Sequence, residues 1–246
     1  AMKRLLLLLS TLLLLAGCNS ATPAPATPAP PAATATTVAA APAPVAAATG
    51  FRTFVIVPAE STVSYLVNEE FFAAALTKYN IAAGKKVTVG STQEVAGSLA
   101  LDLGADQPLG PNSFTVNLPS LSSDQSLRDG WIQKNALESN KYPEAVFVAS
   151  ALEGAPTEYS EGQEVQFQLV GELTVRSISL PVTFDVTATL SGDTIRGVAE
   201  AKVKMSDFGV TPPNFANTLV VADLFTIHIE LTAKEHLRFF ARLYGV

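Results

Sequence analysis

Few side chains in this chain could do covalent or acid–base chemistry. Its 246 residues hold one cysteine, Cys18, and two histidines, His228 and His236. A lone cysteine forms neither an internal disulfide nor a multi-cysteine metal site. His228 falls on the polar side of an alternating segment, where a surface imidazole is expected rather than a general base. His236 belongs to no recognisable constellation. The adjacent acids Glu69 and Glu70 point different ways from either a strand or a helix, so a solvated pair is expected. Arg128 and Asp129 could form an ion pair that orients a helix over the end of a domain. If exposed, such a pair is worth ~1 kcal/mol or less. The chain has no serine-nucleophile elbow, no His/Cys cluster at metal-ligand spacing and no phosphate-cradling glycine loop. No catalytic residue and no metal ligand is therefore assigned, and an enzyme is not expected.

The chemistry of Cys18 is explained by what precedes it. Lys3 and Arg4 are followed by a nearly unbroken apolar run from Leu5 to Ala16. That run is shorter than the roughly 20 residues needed to cross hydrocarbon. A charged start, a short apolar core and the small residues Ala16 and Gly17 describe an export signal over residues 1–17. The order Leu15-Ala16-Gly17-Cys18 also resembles a bacterial lipobox. The resemblance implies cleavage before Cys18 and acylation there with chains such as palmitate. Two or more such chains anchor a protein stably where one does not. The expected partner of Cys18 is thus a lipid membrane. The expected location is the outer face of the bacterial cytoplasmic membrane, or a periplasm-facing membrane.

Residues 18–50 are almost all Ala, Pro, Thr and Ser, with no charge and no periodic apolar face. Such a stretch cannot bury enough surface to offset the entropy of ordering, so a disordered, Pro-stiffened tether is expected. The remainder is long enough for one domain with a sizeable core. Charged residues are only 15% and the net charge is −6, with no basic run, which argues against a nucleic-acid partner. With no disulfide available, stability must come from packing and sheet hydrogen bonds.

The dominant period in that domain is two. In "QEVQFQLVGELTV", Val165, Phe167, Leu169, Gly171, Leu173 and Val175 share one face, and polar residues take the other except at Val170. The same alternation runs through Val182-Phe184-Val186-Ala188-Leu190, Ile195-Gly197-Ala199-Ala201-Val203 and Phe225-Ile227-Ile229-Leu231. Shorter versions occur at Val63-Tyr65-Val67, Val95 to Leu103, Phe114-Val116-Leu118 and Ala145-Phe147-Ala149-Ala151. The two-residue link Arg176-Ser177 leaves no room for a crossover helix, so neighbouring strands are antiparallel. Helical signal is limited to Ser126–Leu137, Glu69–Thr77 and the tail from Ala233 to Tyr244. These are too short to cover the apolar faces, so closure into a barrel or a sandwich is expected.

Four stretches then carry a family resemblance. "LVGELTVRSISLPVTFDVT" resembles the G-x-LTI-x-G-x-T-x-PV pattern of the YceI-like, polyisoprenoid-binding, lipocalin-like proteins. "SLSSDQSLRDGWIQKNALESNKYPEAVFVAS", "KMSDFGV" and "VADLFTIHIELTA" resemble further elements of that family in the same order. With "FVIVPAESTVSYLV", the likeness runs from about Phe54 to Ala233. It implies an all-β domain over residues 51–233, an up-and-down antiparallel eight-stranded barrel with a few short helices and an elongated apolar cavity. It also implies an isoprenoid ligand, such as a polyisoprenoid or an isoprenoid quinone, in an exported compartment. The chain departs from the family at Glu60 and Asn68, where many members carry His, and in its longer segment from Glu69 to Gln93. The resemblance would place both departures at a barrel mouth.

Small residues cluster on particular strands of the apolar faces (Gly97, Ala145, Ala149, Ala151, Gly171, Ala188, Gly197, Ala199 and Ala201), and no inward charge is expected. That favours a dry, elongated cavity over a plug of side chains. The expected lining is Val63, Tyr65, Val67, Phe114, Val116, Phe147, Phe167, Leu169, Gly171, Val182, Phe184, Val186, Ala199, Ala201, Phe225 and Ile227. The tail, residues 234–246, is expected to be helical. Its Leu237, Phe240 and Tyr244 could cap the barrel or dock a protein partner. Two function classes follow. One is an anchored barrel that carries or sequesters an isoprenoid. The other is a non-catalytic scaffold subunit of a membrane-associated complex.

Overall fold

The computed structural model describes residues 50–72, 83–103, 105, 107–156, 160–216 and 218–236. The expected signal segment, the tether up to residue 49, the second half of the expected helix at 69–77, and residues 237–246 of the tail lie outside them.

The strands are β1 (Arg52–Ile56), β2 (Thr62–Phe71), β3 (Gly84–Thr92), β4 (Val95–Leu101), β5 (Leu109–Asn117), β6 (Glu144–Glu153), β7 (Glu164–Val175), β8 (Ile178–Ser191), β9 (Thr194–Lys204), β10 (Asn214–Phe215) and β11 (Leu219–Glu235). All pairings are antiparallel. The order β1-β4-β5-β6-β7-β8-β9-β11 returns to β1 through the β1–β11 ladder, which closes an eight-stranded barrel. β2 continues the line of β1 along β11 after a single 3-10 turn at Pro58–Glu60, and β3 pairs with β2 before running into β4. Closure gives each of the eight ring strands a partner on both sides, while among the described residues the outer edge of β3 is joined only by a bridge from Ser91 to Ser122.

The alternation read from the sequence holds on the longest strands. On β9, Ala201 and Val203 are buried while Arg196, Val198, Glu200, Lys202 and Lys204 are exposed. β7 and β8 pair over their whole length around the Arg176-Ser177 link, and Gly192, at φ 60°, supplies the left-handed turn into β9. Core contacts concentrate where aromatic rings meet. Phe147 stands edge-on to Phe184 with centroids 5.0 Å apart, a geometry worth ~0.5–1.5 kcal/mol beyond area burial.

Three expectations change. A bulge between Ala149 and Ala151 shifts the β6–β7 register, so Ala151 opposes Val170, and Leu152, opposite Leu169, takes the inward position instead. Glu69 is not the start of a helix, since β2 runs on to Phe71. In the tail, Lys234 and Glu235 extend β11 rather than beginning a helix. The expected helix at Ser126 does form. α1 (Ser126–Trp131) continues as one wider turn over Ile132–Ala136 and lies across one end of the barrel.

Candidate functional site

The inward faces do not meet in the middle. They enclose a cavity of about 1060 Å³. Ligand pockets usually span roughly 300–1,000 Å³, so this one is large. It runs from Leu99, Leu101, Leu152, Leu190 and Ile195 at the β1 end to Leu121, Trp131, Phe208 and Phe215 under α1. Protein interiors rarely leave spaces much larger than a water molecule, so a cavity of this size is a built feature.

Of the residues expected to line it, Val63, Tyr65, Val67, Phe114, Val116, Phe147, Phe167, Leu169, Phe184, Val186, Ala199, Phe225 and Ile227 do so. Gly171, Val182 and Ala201 face inward but do not reach the cavity. Val182 and Ala201 are covered within the packed cluster around Phe147 and Phe184. At Gly171 a Cβ would sit 2.4 Å from the Val148 carbonyl oxygen and 2.5 Å from Phe147 Cζ, so this glycine permits close backbone approach beside the β6 bulge. Ala199 is different. It opposes Val186 on β8 and Ile229 on β11, and all three line the cavity.

The end beneath α1 is polar in a way the sequence did not reveal. Glu69 points into the barrel and is only 4% exposed. Arg128 of α1 grips it with two hydrogen bonds, from Nε to Oε1 at 3.1 Å and from Nη2 to Oε2 at 3.0 Å. Thr88 of β3 donates its hydroxyl to the same Oε2 at 2.6 Å. Thr88 therefore faces inward, and its neighbours Val87 and Val89 are left exposed. Arg128 also donates to Ser123 and Asp124, and Asp124 in turn meets Lys86. Hydrogen bonds from Lys86 and then Arg128 hold the Asp124 carboxyl below its ordinary range. Asp129 does not pair with Arg128 as expected. It accepts from the Ser123 backbone N–H and hydroxyl, closing the turn that leads into α1. The result is a latch from the barrel wall to the helix over its mouth. Beside it, Trp131 stands edge-on to Phe215 at 6.0 Å, and Leu127, 74% exposed, continues the apolar rim into solvent.

The S-D-F-G element also serves this end. Ser206 donates its N–H and its hydroxyl to Asp223 at 2.8 and 2.6 Å, bracing the register shift in β11 and presenting the buried Phe208 to the cavity. Of the two family departures, the longer segment from Glu69 to Gln93 brings Glu69 and Thr88 to the mouth beneath α1, whereas Glu60 and Asn68 face outward. Glu60 is on the outer surface at the β1 end, paired with Arg196 and Lys234. Asn68 is exposed on the outer face of β2. His228 is an outer-wall residue with Nδ1 2.7 Å from Glu200. Among the described residues no group of His, Cys, Asp or Glu could hold a metal ion, and no helix is long and apolar enough to cross a membrane.

A closed antiparallel barrel around one deep apolar cavity, with a helix over its mouth, defines a lipocalin-like protein. The YceI-like domain model matches residues 54–233, and the chain belongs to that family. Its structure is similar to that of BcnA from Burkholderia cenocepacia, at 22% identity and a TM-score of 0.54, covering 73% of this chain and 99% of that one. It is also similar to a polyisoprenoid-binding domain from Saccharophagus degradans, at 11% identity and a TM-score of 0.56, covering 76% of this chain and 99% of that one. No curated protein matches the sequence.

Proposed function

We propose that this is an exported, membrane-anchored protein whose barrel holds a long isoprenoid chain, such as a quinone tail, for carriage or sequestration. The observation that carries the reading is the cavity, which is elongated, about 1060 Å³, and lined almost wholly by apolar side chains. An isoprenoid suits it because each buried methylene contributes ~0.8 kcal/mol and the lining is apolar except for a polar cluster beneath α1. Ordering costs consume part of that gain, and non-covalent affinity saturates near −18 to −21 kcal/mol, yet enough remains to retain lipid through purification. Family membership and the name of the Saccharophagus domain point the same way. The anchoring half of the proposal rests on Cys18 and its flanks. It is tested by Cys18→Ser, which should move the protein from washed membranes to the soluble fraction. Retention of the variant on salt-washed membranes would refute the acyl anchor.

The test of the cavity is Ala199→Phe. The new ring would enter the cavity, so the lipid-stripped variant should be as stable as wild type, or more so, in urea unfolding, while its content of extractable lipid falls. Overpacking of a filled core would instead cost ~1–3 kcal/mol, and such a loss would contradict the proposal.

A further inference from the structure

The largest exposed apolar side chains gather at one end of the barrel. Among the described residues these are Phe72, Leu127, Phe215 and Leu224, between 38% and 74% exposed, and the other exposed large apolar residues are all valines on strands. Strand pairing brings the four to the mouth beneath α1. Phe72 follows β2, and its N–H donates to the Thr218 carbonyl beside the β10–β11 pairing that carries Phe215. Phe215 meets Trp131 edge-on, and Leu127 lies one helical turn before Trp131 on α1. Leu224 opposes Lys204, the last residue of β9, at the register shift in β11.

This rim is continuous with the cavity. Leu127, Trp131 and Phe215 also line it, so apolar surface runs from solvent into the interior on this side. Exposed apolar clusters mark contact with another apolar surface. The charges around the rim are matched. Arg128 holds Glu69, Lys86 meets Asp124, Arg176 meets Glu138, and Lys85 opposes Glu70 across β2 and β3. The attraction the rim offers is therefore apolar rather than electrostatic. A protein partner would have no need of a rim that opens into the cavity. A bilayer would, because a long isoprenoid is driven out of water and is supplied by a hydrocarbon phase.

We infer that the α1 end is a seat for an uncharged lipid surface. Leu127, Phe215, Phe72 and Leu224 enter the edge of the hydrocarbon, and Trp131 takes the interfacial position that its ring favours. An isoprenoid then passes between bilayer and cavity without crossing water. This contact is separate from the proposed anchor at Cys18. The entry route rests on the isoprenoid reading above, whereas the seat stands without it.

Trp131 is the only tryptophan in the chain, so its fluorescence reports on the rim directly. The test reconstitutes the full-length protein with vesicles of phosphatidylcholine, plain or brominated on the acyl chains, and also follows uptake of a fluorescent prenyl probe from the vesicles. Brominated lipid should quench Trp131, and adding anionic lipid or salt should leave the quenching unchanged. Leu127→Ser combined with Leu224→Ser should weaken the quenching and slow probe uptake, each by roughly tenfold. Ala199→Phe should abolish uptake yet keep the quenching, which separates a seated rim from a lipid chain lodged in the cavity. Wild type that takes up the probe with Trp131 unquenched would overturn the seat and leave the isoprenoid reading standing. So would quenching that vanishes in Ala199→Phe, survives intact in the double serine variant, or requires anionic lipid. Quenching of wild type with no uptake of the probe would instead overturn the isoprenoid reading and the entry route with it.

Discussion

Glu69 shows how one inward charge can organise the mouth of an apolar barrel. Desolvating a carboxylate and a guanidinium is repaid only by close geometry and by hydrogen bonds to the remaining lone pairs. Both are present in the forked Arg128 contact and the Thr88 hydroxyl. Removing one partner should therefore be worse than removing both. Arg128→Met should cost roughly 3–5 kcal/mol, whereas Glu69→Leu combined with Arg128→Met should recover most of that loss. A double-mutant cycle in urea decides the matter, and additive effects would show that the pair does not act as a unit. In the sequence, extending Val63-Tyr65-Val67 by two residues puts Glu69 on the inner face. A lone acid beside a second one reads as a strand end, however, because its partner lies 59 residues away. Long-range compensation of this kind leaves no local periodicity.

At the level of elements, the period-two pattern located the long strands because each has one wet and one dry face. β7, β8, β9 and β11 match it over most of their length. The pattern failed at the irregularities. The β6 bulge exchanges Ala151 for Leu152, and β3 turns its valines outward to bring Thr88 to Glu69. Both are set by the neighbouring strand, which a single segment does not encode. Gly171 marks the first of them. Gly171→Ala forces a Cβ against the Val148 carbonyl, which cannot swing aside as a side chain would. Its expected cost is ~1–3 kcal/mol in denaturant unfolding, by the same overpacking logic that spares Ala199→Phe. A neutral Gly171→Ala would mean the two strands are not held at this spacing. The contrast between these two small residues, both inward and on strands separated only by β8, is the sharpest internal check on where the packed wall stops and the cavity begins.

For the whole molecule, barrel closure and radius follow from strand number and stagger, which are global quantities. The sequence could indicate small residues on the inner face, but not whether the radius exceeds what the side chains fill. Here it does, and the space left open is about 1060 Å³. The chain also enters the barrel at the β1 end, where Arg52 binds Glu235 and the Gly192 carbonyl, opposite the mouth beneath α1. The central claim is that the cavity exists to hold an isoprenoid, and the most direct measurement is mass spectrometry of an organic extract of the folded protein purified without detergent. An isoprenoid lipid recovered in near-equimolar amount, and depleted from Ala199→Phe prepared in parallel, is the expected result. An extract with no isoprenoid, or with the same lipid in equal amount from both proteins, would contradict it.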